Sequence, residues 1–114
     1  MSKRSLLTAV MLSLLALPAI AAAETWKNVP LIDHNCVNKV KADPDKHPTS
    51  CLLKCARSGY GVLTSDGTWV KFDAKGNEEA LAALKATTKT SGIRVTVEGE
   101  RSGDMIKVSS LAID

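Results

Sequence analysis

The sequence has 114 residues, a formal charge of +3, three cysteines and 45% hydrophobic residues. That length allows one domain. The charge is too small for a protein that binds nucleic acid by neutralising phosphates, so nucleic acid is not an expected partner.

The first 23 residues read as a cleaved signal peptide. Lys3 and Arg4 form a positive start, Leu6 to Leu17 an apolar core, and Ala21-Ala22-Ala23 a small-residue cleavage site. The core is shorter than the roughly 20 apolar residues a membrane span needs. The chain from Glu24 onward carries 13 basic against 12 acidic side chains, so much of the apparent basicity belongs to targeting. No second apolar run follows, and no membrane span is expected after cleavage. The expected location is the bacterial periplasm or the exterior, with residues 24–114 as a single exported domain.

Trp26 to Ile32 reads as a first strand, with Pro30 marking an edge or a bulge. Val37 to Ser50 is polar, is broken by Asp43-Pro44 and His47-Pro48, and reads as a loop. Thr49 or Ser50 is placed to cap a short helix bearing Cys51 and Cys55, and Gly59 to end it. Tyr60–Ser65 and Thr68–Asp73 read as a hairpin turned at Asp66-Gly67. Asn77 to Lys85 reads as the main helix, with Asn77 as its N-cap. Ile93, Val95 and Val97 alternate with polar residues, as in a half-buried strand. Met105 to Ile113 is the last strand, and its alternation slips near Ser109-Ser110 as at a bulge.

Five strands with a helix between the third and fourth give a mainly β fold. The expectation is a small OB-like Greek-key barrel with a cysteine-bearing insertion over residues 33–59. Trp26, Tyr60, Trp69 and Phe72 are the aromatic residues of the domain, and so small a barrel needs most of them for its core.

The cysteines carry the chemical signal. His34-x-Cys36 shares a face if the segment is extended, and Cys51-x3-Cys55 shares a face on a helix. The two pairs can converge as a Cys3His site for zinc or copper. His34, Cys36, Cys51 and Cys55 are therefore the expected metal ligands. His47 is a spare nitrogen near the same helix, and Asp33 an outer partner for an imidazole. The alternative is one disulfide plus one free thiol, which would make the chain a disulfide-stapled binding module for a small ligand or protein. Three cysteines allow three pairings, and the sequence does not choose. A thiol nucleophile assembled from Cys51 with His34 or His47 lacks a CxxC motif or an orienting acid, so enzymatic activity is not expected. No haem, nucleotide or other organic cofactor motif is present.

Asp33-x-x-Cys36, Cys51-x3-Cys55, Gly59, Ser65-Asp66-Gly67, Val95-x-Val97-x-Gly99 and Ile106-x-Val108 together resemble a group of small exported bacterial proteins. These look like secreted OB-type domains with a cysteine insertion after the first strand. The resemblance implies a fold and an envelope location and carries no activity with it.

Overall fold

The computed structural model describes residues 22–114, so the expected signal peptide lies outside the described residues except for its last two positions. Among the described residues there are five strands: β1 (Glu24–Asp33), β2 (Tyr60–Leu63), β3 (Trp69–Phe72), β4 (Arg94–Ser102) and β5 (Met105–Ile113). Three α-helices join them: α1 (Val37–Val40), α2 (Thr49–Lys54) and α3 (Ala74–Ala86). Among the described residues no helix is long and apolar enough to cross a membrane.

The strands close into a barrel in the order β1-β2-β3-β5-β4. All neighbours are antiparallel except β3 and β5, which pair in parallel at Lys71 with Met105 and Phe72 with Ile106. This is the expected OB-like barrel, with α3 between the third and fourth strands. β1 closes it by serving two neighbours. Its first part pairs with β4 and its last three residues pair with β2. The register shifts between Trp26 and Val29, where Asn28 takes a positive φ of 52°. Asparagine tolerates that left-handed conformation better than most residues. A second bulge falls where the alternation slips. Glu98 faces Ser110 and Gly99 faces Val108, leaving Ser109 unpaired.

Inward residues of the strands form the core. Leu31, Val62, Val70, Val95, Val97 and Ile106 are buried together, and Ala80 and Leu84 of α3 and Leu52 of α2 pack onto them. Closing the sheet removes the unpaired edges that would template aggregation.

The main helix starts three residues earlier than the sequence suggests. Asp73, not Asn77, is its N-cap, and the carboxylate accepts from Gly76 N at 3.0 Å. The same oxygen accepts from Val108 N at 3.2 Å, so one side chain pins the helix to β5. Gly76 lies inside the first turn. A Cβ there would sit 2.5 Å from Val108 Cγ2 and 2.7 Å from Phe72 Cβ, so the glycine allows the helix to lie against the barrel. Asn77 instead accepts from Tyr60 N at 2.8 Å.

The insertion after β1 is more ordered than a loop. It contains a 3-10 turn at His34–Cys36, helix α1, a second 3-10 turn at Pro44–Lys46 and helix α2. Pro48, rather than Thr49 or Ser50, is the N-cap of α2. The Thr49 hydroxyl reaches away from the helix and donates to Lys89 O at 2.8 Å.

Candidate metal centre

Asp33 is the last residue of β1 and pairs with Tyr60. It is fully buried beneath the insertion. Burial of an unpartnered carboxylate is costly, so its neighbours define what the site can do. Oδ1 meets His47 Nε2 at 2.8 Å. Oδ2 is buried and has no hydrogen-bond partner.

His47 is itself only 5% exposed. Backbone contacts on both sides hold it. His47 N donates to Pro44 O at 3.2 Å, and His47 O accepts from Gly92 N at 3.2 Å. Pro48 bridges to Ser91, and Thr49 N donates to Thr90 O at 2.8 Å. Gly92 adopts φ 65°, and a Cβ there would lie 2.9 Å from Asp45 O, so glycine is required for this close approach. Arg94 straps the same segment through Asp45, with Nε to Oδ1 at 3.0 Å.

Cys36 completes the group. One ligand atom from each of Asp33, Cys36 and His47 lies within 4.8 Å of the others. These three residues can hold a metal ion. The local geometry explains why Asp33 joins Cys36. The chain turns into a 3-10 helix directly after Asp33, and in that helix positions i and i+3 eclipse. Burial pushes the Cys36 thiol up to about 11 from 9.0, and the Asp33 carboxylate and the Cys55 thiol beside it push the same way. Burial, with the same two neighbours, pushes the Tyr60 phenol up to about 12. Its hydroxyl donates to Leu52 O at 2.7 Å.

Of the four expected ligands, the structure brings Cys36 into this group. His34 lies elsewhere: it is exposed and stacks on Trp69, with ring centroids 5.3 Å apart and planes inclined by 26°. The extended geometry that would align His34 with Cys36 is replaced by the 3-10 turn, which sends positions i and i+2 to different sides. Trp69 is fixed in turn, donating from Nε1 to Ile32 O at 3.1 Å. Cys51 lies in α2 and Cys55 just past its end, both partly buried, and neither belongs to the three-residue group. No disulfide joins the cysteines, and all three are free thiols. The residues that replace the expected ligands are Asp33, read from sequence as an outer partner, and His47, read as a spare nitrogen.

A cleft of about 350 Å³ lies beside His34 and Trp69, with Lys71, Asn77 and Asp104 also on its walls. It is separate from the Asp33 group. Comparison with known protein families, with curated proteins and with solved structures finds no match for this chain.

Proposed function

We propose that this protein is an exported metal-binding protein of the bacterial envelope, non-enzymatic, with Asp33, Cys36 and His47 as its ligands. The observation that carries the reading is the buried, unpartnered Asp33 Oδ2 beside a thiol and an imidazole. A cation would satisfy that oxygen and offset the cost of its burial. One oxygen, one sulfur and one nitrogen suit zinc, which accepts all three donor types. Copper(I) favours sulfur-rich sites, so the carboxylate ranks zinc ahead of copper. Burial keeps the Cys36 thiol protonated in the absence of a cation, and the thiolate is the form that ligates a metal as well as the form that attacks. A bound cation would lower that thiol's pKa and hold it as the thiolate. Export rests on the Lys3-Arg4 start, the apolar core and the alanine-rich tail of the leader.

Elemental analysis of reduced protein after incubation with zinc and desalting tests this reading. One zinc per chain is expected, with loss of the metal in Cys36→Ser and His47→Ala and retention in Cys51→Ser. Wild-type protein that retains no stoichiometric metal overturns it.

A further inference from the structure

The proposed ligand Cys36 has a second thiol beside it. Its sulfur lies beside the Asp33 and His47 ligand atoms, and the Cys55 thiol is close enough to interact with it. Hydrogen bonds independently bring together the segments that carry the two cysteines. Asn35 N donates to Ser58 Oγ at 3.4 Å, and Ser58 Oγ donates to Cys55 O at 2.8 Å. His34 N also donates to Gly59 O at 2.9 Å. One serine hydroxyl thus links the residue before Cys36 to the carbonyl of Cys55. Both residues are half-buried rather than enclosed in the core.

We propose that Cys36 and Cys55 form a reversible dithiol–disulfide pair that controls metal occupancy: the reduced chain binds the ion and the oxidised chain releases it. This rests on the metal reading above. The oxidant is a small-molecule disulfide or the disulfide of a thiol oxidoreductase. One protein thiolate attacks the oxidant's S–S bond, forming a mixed disulfide and expelling one thiolate. The second protein thiolate attacks the protein sulfur of that mixed disulfide, forming Cys36–Cys55 and expelling the other half. Two protein thiols are oxidised and one disulfide is reduced to two thiols. The two protein protons pass to the departing thiolates.

Metal and disulfide exclude each other at Cys36, because a disulfide sulfur is no longer a thiolate ligand. Cys51 lies one helical turn before Cys55 and is the competing partner, so the mapped pairing is decisive.

The test uses the full exported chain with and without zinc in oxidised glutathione. The metal-free protein is expected to lose the mass of two hydrogens, with Cys36 and Cys55 linked and Cys51 alkylatable in peptide maps. Zinc competition with a chromogenic chelator is expected to show weakening by about a hundredfold or more on oxidation, at least the loss caused by perturbing an outer partner of a ligand. Bound zinc is expected to slow the oxidation. The Cys51→Ser variant is expected to behave as wild type in both arms. A map that links Cys51 to either partner, or that shows only mixed disulfides, overturns the pairing. Equal zinc affinity in the reduced and oxidised chains overturns the control while leaving the metal reading intact. A reduced chain that binds no zinc overturns the metal reading and the control together.

Discussion

Asp33 and His47 meet at 2.8 Å with Asp33 wholly buried and His47 nearly so. The pair joins the end of β1 to the far side of the insertion, 14 residues away in sequence. Its second carboxylate oxygen has no partner, so the pair is half of a polar site rather than a closed structural pin. A network of this kind is stable when fully satisfied and costly when it is not.

Removing one partner of the pair should therefore weaken the fold as well as the site. Truncating one side of a buried, hydrogen-bonded pair costs about 3–5 kcal/mol when the other side is left charged. Urea unfolding of metal-free His47→Ala is expected to show a loss of that order. The double variant Asp33→Ala/His47→Ala should cost less than the sum of the two single changes, because neither group is then left behind. Strict additivity would mean that the two side chains do not interact.

Much of the barrel is legible in the sequence because its signals are local. Val95 and Val97 alternate with polar neighbours, Asp66-Gly67 sits between two β-type runs, and Ser109 interrupts the pattern at the observed bulge. The start of α3 is less legible because glycine is a poor helix former, and only the close approach of Phe72 and Val108 explains Gly76 inside the first turn. The site is legible in composition but not in arrangement. Cys36 is the shared member of the expected and observed groups. His34 departs because a 3-10 turn, rather than an extended segment, follows Asp33. His47 arrives because Gly92, Ser91 and Thr90 bind its segment, contacts that connect positions more than forty residues apart.

The two histidines can be separated by mutation. His34→Ala removes a ring that stacks on Trp69 and is expected to leave one zinc per chain bound. Its visible effect should be a change in tryptophan fluorescence as the indole face becomes wetter. His47→Ala is expected to abolish zinc retention. The reverse pattern, with metal lost in His34→Ala and kept in His47→Ala, would return the ligand role to His34.

Gly76 offers a test of how α3 is seated. Alanine gains about 1 kcal/mol over glycine in an exposed helix interior. At this position the added carbon would crowd Val108 Cγ2 at 2.5 Å and Phe72 Cβ at 2.7 Å. Overpacking of a tight core costs about 1–3 kcal/mol, so Gly76→Ala is expected to lower the unfolding midpoint despite the better propensity. A stabilised Gly76→Ala protein would show that α3 can lift from the barrel without loss.

Alkaline pH should destabilise the reduced, metal-free protein in a defined window. Folding raises the Cys36 thiol from 9.0 to about 11 and the Tyr60 phenol from 10.0 to about 12. Both groups hold their protons more tightly in the folded chain than in the unfolded one. The unfolded chain therefore releases them first, and alkali favours it. The stability linked to Cys36 is fully present below pH 9.0 and is lost as pH rises through about 11. The stability linked to Tyr60 follows one unit higher, fading from pH 10.0 through about 12. Thermal melts across this range should show a falling midpoint that begins near pH 9.0 in wild type. Cys36→Ser should postpone the onset to near pH 10.0, leaving the part that belongs to Tyr60. Tyr60→Phe should flatten the upper part, while losing about 1 kcal/mol at every pH from the hydrogen bond to Leu52 O. Zinc should remove the Cys36 component, since the bound thiol carries no proton to lose. A melting midpoint in metal-free wild type that stays level up to about pH 12 would show that neither group is shielded as the fold implies.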